Sequence, residues 1–326
     1  MKSFAIAAIA SLAQATIMSE LEFAFMNYAV AHNKNYASVE EFQARFTNFV
    51  AQEAHIVRQN AKATGHTAAH NYLSDYSTEE YMNMMGLKDQ DREADQEYMF
   101  TATPNSTGID WRTVKGVVTP VKDQGQCGSC WAFSATESVE SHYVLAGNDQ
   151  VIMAPQELVD CSKGLFSNHG CSGGWYYYAW KWLESSKSMT EADYPYTSGV
   201  TGKETKCAYD SAKGVTNVSD YKQVSKDTDS IKAAIELGPV SVAVSAGNDV
   251  FRNYSSGIVT ADDGCPTNVD HAIQAVGWGS EDGQDYYIVR NSWNTTWGDQ
   301  GFIKLATGTG KGVCGINQDV YYPIIA

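Results

Sequence analysis

The chain has 326 residues, 43% of them hydrophobic and 19% charged, with a formal net charge of −15. That length allows about two domains with a substantial core. The charge is −6 before Asn105 and −9 from there on, and neither part carries a basic patch. This argues against nucleic acid or an anionic membrane surface as a partner.

At the N-terminus, Lys2 precedes an apolar run from Phe4 to Leu12 that ends in Ala13-Gln14-Ala15. The run is too short to span a bilayer and reads as a signal peptide, residues 1–15, cut after Ala15. No later apolar run reaches transmembrane length, so no membrane insertion is expected. The signal predicts entry into the secretory pathway, an oxidising route on which disulfides persist. Four Asn-x-Ser/Thr sequons, at Asn105, Asn217, Asn253 and Asn294, are candidate glycan acceptors on that route.

Residues 20–60 carry helical periodicity with no Gly or Pro to interrupt it. Leu21, Phe25, Tyr28 and Ala29 form one apolar stripe; Phe42, Phe46, Phe49 and Ile56 form another. Glu41 and Arg45 stand four apart with the acid first, the favourable orientation for a helical ion pair. Residues 88–97 are charged and free of aromatics, and Thr101 to Gly108 is small and polar with one Pro. Both read as an exposed, cleavable linker.

Cys130 opens an apolar stretch, Trp131-Ala132-Phe133, continued at helical spacing by Ala135, Val139 and Tyr143 and stopped by Gly147. A thiol at a helix N-terminus meets the positive end of the dipole, which favours the nucleophilic thiolate. Cys130 to about Glu184 favours helices. From Val215 onward short strands dominate, such as Val240-Ser241-Val242-Ala243-Val244 and Tyr286-Tyr287-Ile288-Val289. Helices followed by strands predict an α+β protein of two subdomains, with a cleft between them. All seven cysteines follow residue 126. An odd count in an oxidising compartment points to one free thiol; if it is Cys130, six remain for three bridges, and their pairing stays open at this level.

Several motifs stand in a recurring order: Gln124-Gly125-Gln126-Cys127-Gly128-Ser129-Cys130-Trp131, then His271 in Val269-Asp270-His271-Ala272, then Asn291-Ser292-Trp293. Upstream, Glu41, Arg45, Phe49, Gln52, Ile56 and Asn60 resemble the interspersed Glu-Arg-Phe-Asn-Ile-Asn pattern of cathepsin L-type propeptides, with Gln52 in place of one Asn. Ala69-His70-Asn71-Tyr72-Leu73-Ser74-Asp75 resembles the second propeptide motif, Gly-x-Asn-x-Phe-x-Asp, with departures at Ala69 and Leu73. Ile109-Asp110-Trp111-Arg112 resembles the start of a mature enzyme. Essentially the whole chain resembles a papain-family cysteine protease of the cathepsin L group.

The resemblance implies a papain-like fold, a helical subdomain and a β-barrel-like one, behind a helical inhibitory propeptide. The implied domains are 16–104 for the propeptide and 105–326 for the peptidase. It implies an endopeptidase that forms an acyl-enzyme, made as a zymogen and matured at acidic pH. Cys130 is the implied nucleophile, His271 its acid–base partner in a thiolate–imidazolium pair, and Asn291 the group that orients the imidazole. Gln124 is the implied oxyanion donor, and Trp293 the shield of the His271–Asn291 bond. His142 lies over three turns along the same helix and cannot reach the sulfur; His169 reads as an exposed loop residue.

Gly173 and Gly174 are implied to pair with an extended substrate backbone. Trp175, Ala243, Val269, Asp270 and Ala272 are implied to line the adjoining pocket, and Asp319 to form its floor or else face solvent. The implied bridges are Cys127–Cys171, Cys161–Cys207 and Cys265–Cys314. Asn294 and Thr296 occupy positions where the family has glycine; Asn tolerates positive φ, a β-branched Thr does not. The expected partners are protein or peptide substrates and the chain's own propeptide, in a monomer with no cofactor and no metal. A lysosome- or phagosome-type acidic compartment, or secretion, is the expected location. A non-catalytic protease-binding protein and a Cys-dependent transferase or amidase are the competing functions.

Overall fold

The computed structural model describes residues 20–87, 99–164 and 167–326. The expected signal peptide and the charged run at 88–97 lie outside the described residues. In chain order the N-terminal segment forms helix α1 over residues 20–31, α2 (Val39–Asn60), strand β1 (His66–Ala68) and α3 (Thr78–Met82). After the short β2 (Ile109–Asp110) come α4 (Cys130–Leu145), α5 (Pro155–Cys161), α6 (Tyr176–Leu183) and α7 (Ser198–Thr201). Strand β3 (Val218–Gln223), α8 (Thr228–Leu237), β4 (Val240–Val244), α9 (Asp249–Arg252) and β5 (Tyr254–Val259) follow. The chain closes with β6 (His271–Glu281), β7 (Gln284–Arg290), β8 (Phe302–Ala306) and β9 (Val320–Ile325).

The uninterrupted 20–60 pattern is two helices, not one. Asn33 takes φ 51°, and Ser38 caps α2 by accepting the Glu41 N–H, so polar residues do the breaking that Gly or Pro usually does. The two apolar stripes then meet: Phe25, Tyr28 and Phe49 are buried together, with Tyr36, Phe42 and Phe46 around them. Arg45 is not chiefly a partner of Glu41, which stands 3.8 Å away. Its guanidinium forks onto Glu80 at 2.5 and 2.7 Å, tying α2 to α3. Glu41 instead receives the Ala37 N–H at 2.7 Å, closing the start of α2.

Helices α4, α5 and α6 pack around one core that includes Trp131, Leu158, Trp180 and Leu183. The strands form a mixed sheet in the order β1-β5-β8-β7-β6-β4-β9-β3, with β2 on β6, over a second core that includes Ile231, Val242, Ile273, Tyr287 and Leu305. All pairs are antiparallel except β5 with β8. Two helices, α8 and the short α9, depart from the helices-then-strands order; Asp227 caps α8, and its Ile231 and Ile235 enter the sheet's core. Helix α4 is buried on every face from Cys130 to Ser141, and Gly147 (φ 94°) lies just past its end, as its sequence predicts. Three disulfides join Cys127–Cys171, Cys161–Cys207 and Cys265–Cys314, leaving Cys130 free. Among the described residues no helix is long and apolar enough to cross a membrane.

The N-terminal segment is built onto the sheet. Strand β1 pairs antiparallel with β5, and the Asn60 amide holds Ala68 through both its N–H and its carbonyl. Gln52 accepts the Asn253 Nδ2–H at 2.7 Å, and Gln59 donates to Asp263 at 2.9 Å. Of the four sequons, Asn105 and Asn294 are exposed and Asn217 is half-buried; Asn253 is buried beneath this contact.

Candidate active site

Cys130 is the first residue of α4 and is fully buried, with Sγ accepting the Ala272 N–H at 3.4 Å. His271 begins β6. The β6–β7 register sets Gln274 against Arg290, which brings the start of β6 beside the residues that follow β7. There His271 Nε2 meets Asn291 Oδ1 at 2.8 Å, and the Trp293 ring covers the imidazole at 4.7 Å between centroids. Buried Trp293 thus stands where a shield of that bond belongs.

Gln124 is held at every polar atom. Its N–H donates to Ser292 O at 2.9 Å and its backbone carbonyl accepts Tyr196 OH at 2.8 Å. Oε1 accepts Ser292 Oγ at 2.7 Å and Trp293 Nε1 at 3.1 Å. With the side-chain carbonyl so occupied, the NH₂ group must face the cleft, where it donates to Cys127 O (2.9 Å) and Met84 O (2.8 Å). Ser292 was missed in the sequence, although it lies inside the Asn-Ser-Trp motif; its role is to orient an amide 168 residues away.

Met84 belongs to the N-terminal segment, which runs through the cleft. Tyr81 OH donates to Ala246 O at 2.6 Å, Gly86 O accepts the Gly174 N–H at 2.9 Å, and Leu87 N–H donates to Asp270 O at 3.0 Å. A Cβ on Gly86 would lie 2.2 Å from Gly128 O and 2.9 Å from Cys130 Sγ, so only glycine fits against the thiol. Leu87 joins the cluster of Trp175, Ala243 and Ala272, with Val269 beside it, the pocket lining expected from sequence. The signals for this segment were one glycine in Met84-Met85-Gly86-Leu87 and an apolar neighbour; neither shows locally that it crosses the cleft.

Two pocket residues take different parts from those expected. Gly173 turns both backbone groups inward, onto Gly170 O and the His169 N–H, so only Gly174 pairs with the crossing chain. Asp270 meets that chain through its carbonyl alone; its carboxylate accepts the Ala246 and Gly247 N–H groups. Asp319 is 3% exposed, which excludes the solvent-facing alternative. Its carbonyl accepts Tyr176 OH at 2.8 Å and its charge acts on Tyr177. His142 Nε2 donates to Pro239 O at 3.0 Å, and His169 is exposed; neither belongs to the cleft. Asn294 adopts φ 61°, and Thr296 is not among the residues of positive φ, so the loop after Trp293 replaces one glycine and reshapes around the other.

The closed state suppresses the charges that the chemistry needs. Burial pushes the Cys130 thiol up to about 12, against the pull of the Ala272 and Gly86 N–H groups. Burial also holds His271 down at about 4, opposed by its bond to Asn291. Its Nδ1 has no hydrogen-bond partner. With the cleft filled, the pair is neutral thiol and neutral imidazole. The thiolate–imidazolium pair expected from sequence is disfavoured while the cleft is filled.

A two-layer cleft with a free thiol at a helix N-terminus, a histidine–asparagine pair across from it, and a helical N-terminal segment laid through it defines a cysteine protease zymogen. Residues 105–324 match the papain family cysteine protease model, and residues 25–81 match the cathepsin propeptide inhibitor domain. Digestive cysteine proteinase 1 of Homarus americanus is 37% identical over 300 residues, covering 90% of this chain and 91% of that one. A cathepsin L-like proteinase of Phaedon cochleariae is 34% identical over 309 residues, with 92% and 93% covered. The structure of digestive procathepsin L 3 of Tenebrio molitor larval midgut superposes with a TM-score of 0.82 at 33% identity, covering 93% of this chain and 99% of that one. The chain belongs to the papain family of cysteine proteases, of the cathepsin L-like kind. It is a cysteine endopeptidase made as a zymogen whose own propeptide inhibits it, and the binding-protein and transferase alternatives fall away.

Proposed function

We propose that Cys130, His271, Asn291 and Gln124 carry peptide-bond hydrolysis within a mature enzyme of about residues 105–326, freed from its propeptide at acidic pH. The reading is carried by one observation: the Gln124 NH₂, locked by Ser292 and Trp293, donates to the carbonyl of Met84, in the segment whose Gly86 lies against the Cys130 sulfur. Opening the cleft rehydrates Cys130 and His271, and the proton passes from sulfur to imidazole. The thiolate attacks the substrate carbonyl; the oxyanion is received by Gln124 Nε2 and the Cys130 N–H. Imidazolium gives its proton to the leaving amine, and the C–N bond breaks to leave a thioester. His271 then takes a proton from water as its oxygen attacks the thioester; the C–S bond breaks, the carboxylic acid product leaves, and the thiolate and imidazolium are regenerated. Asn291 keeps the ring aligned throughout.

The pocket that Leu87 fills is the specificity site for an apolar side chain, and Gly174 pairs with the substrate backbone as it does with Gly86. Acid maturation places the working enzyme in a lysosome- or phagosome-type compartment, or outside the cell. The test is a matured Cys130→Ala enzyme, expected to fold, form its three disulfides and hydrolyse nothing. His271→Ala should be comparably inactive, whereas His142→Ala and His169→Ala keep most activity. Activity of Cys130→Ala within tenfold of wild type would remove the nucleophile from this scheme.

A further inference from the structure

Tyr196 lies outside the cleft, on the loop between α6 and α7, yet its hydroxyl touches both chain segments from which the oxyanion donors come. It donates to Gln124 O at 2.8 Å. Its oxygen stands 2.7 Å from Ser129 Oγ, and since the single phenolic proton goes to a carbonyl that only accepts, Ser129 is the donor there. Ser129 immediately precedes Cys130. Gln124 Nε2 and the Cys130 N–H are thus set on two strands of chain that one hydroxyl binds together.

The loops are built to meet. Gln126 N–H donates to Gly199 O at 2.8 Å, and Gly125 takes φ 56°, with room for no side chain because Gly199 O would lie 2.4 Å from its Cβ. A Cβ on Gly199 would in turn strike the Tyr196 ring at 2.8 Å and Gln124 O at 2.9 Å. The Phe133 ring meets Tyr196 edge-on at 4.8 Å, and Glu191 Oε1 accepts the Tyr196 N–H at 2.8 Å, so the phenol has little freedom.

We propose that Tyr196 is a positioning residue for the oxyanion site: its hydroxyl fixes the separation between the Gln124 amide and the Cys130 N–H. This rests on the assignment of Gln124 and Cys130 above. Removing the hydroxyl leaves both donors present but no longer braced, so the loss falls on the transition state, where the oxyanion forms, and not on substrate binding.

The test uses the full chain, matured in vitro, as Tyr196→Phe and, separately, Ser129→Ala. Outright loss of a donor costs roughly 10²–10³ in kcat, so loss of the brace should lower kcat by about tenfold, with KM within about twofold of wild type. Alkylation of Cys130 by iodoacetamide forms no oxyanion, and its rate should stay unchanged in both variants. In a Gln124→Ala background, Tyr196→Phe should cost nothing further, because the amide it braces is gone. The proposal is overturned if kcat is unchanged in both variants, if alkylation slows in step with kcat, or if the loss persists in full without Gln124. Should alkylation of the wild-type thiol leave hydrolysis intact, the nucleophile assignment fails instead, a separate readout. If Tyr196→Phe does not fold, Ser129→Ala alone decides by the same criteria.

Discussion

A single residue, Asp319, sets the most specific expectation about substrates. It is buried, and its carbonyl accepts the Ala243 N–H at 3.1 Å, which sets it beside one of the apolar residues, Trp175, Ala243, Ala272 and Val269, that cluster with Leu87 in the zymogen. A carboxylate beside that apolar lining is expected to favour a cationic side chain over a neutral one of similar size. In the mature enzyme kcat/KM for Phe-Arg peptides should exceed that for Arg-Arg peptides. Asp319→Ala should depress Arg-Arg cleavage selectively. One charge-assisted bond is worth about 1.5–3 kcal/mol, so the selective drop should be roughly tenfold or more. Equal Phe-Arg to Arg-Arg ratios in mutant and wild type would place the carboxylate outside the pocket's chemistry.

Among the elements, the stretch from α3 to Leu87 decides whether the enzyme is on or off. Its anchors are the α3 capping box of Ser77 and Glu80, the Arg45 fork onto Glu80, Tyr81 on Ala246 O, and the backbone bonds at Gly86 and Leu87. Gly86 is the point of closest approach, lying against Gly128 and the Cys130 sulfur. A methyl group there must lift the strand from the thiol while the anchors on either side remain. In the intact Gly86→Ala zymogen at neutral pH, iodoacetamide should label Cys130 at least about tenfold faster than in wild type, since reactivity follows thiolate fraction and access. An unchanged labelling rate would show that the strand does not itself protect the thiol.

At the scale of the whole molecule, the lowered histidines of the propeptide predict that its docking is coupled to pH through histidines as well as carboxylates. His66 lies fully buried 3.0 Å from Asp263, with Lys62 also acting on it; Gln59 and Thr64 reach the same carboxylate. His55 faces Asp249 across the interface at 3.5 Å, among Arg58, Lys62 and His66. His70 pairs with Glu53 at 2.9 Å, stacks on Phe49 and feels His32. Burial is the largest cause in each case and lowers all three below the usual histidine value of 6.5. For His55 and His66, whose carboxylate partners lie on the peptidase part, the undocked propeptide therefore binds more protons than the docked one, and docking stability is present above pH 6.5 and lost as pH falls below it. Glu80, held below the usual 4.5 against its burial by Arg45 and Ser77, adds a loss in the propeptide's own folding only at lower pH. A zymogen with His55, His66 and His70 all changed to Gln should need a lower pH to expose Cys130 to iodoacetamide than wild type does. A midpoint equal to that of wild type would return the switch to the carboxylates.

Local pattern determined a great deal of this protein. The helix that begins at Cys130 and stops at Gly147, the order of Gln124, Cys130, His271 and Asn291, the apolar stripes of α1 and α2, and the positive φ of Asn294 all follow from side chains acting on their near neighbours. Tertiary structure alone decided what those residues touch. Arg45 has an acid one turn away at Glu41, yet packing brings Glu80 into fork geometry, and geometry outweighs proximity in sequence for a guanidinium. Asn253 reads as a surface sequon and is buried under Gln52, 201 residues earlier. Gly173 and Gly174 are indistinguishable as letters, but only one offers its N–H to the cleft. The state of the catalytic pair is the plainest case. The helix dipole, a local property, favours thiolate at Cys130, while burial beneath the propeptide segment at Gly86 pushes the thiol the other way. Desolvation depends on every atom packed around a charge, and that enclosure exists only once the chain has folded.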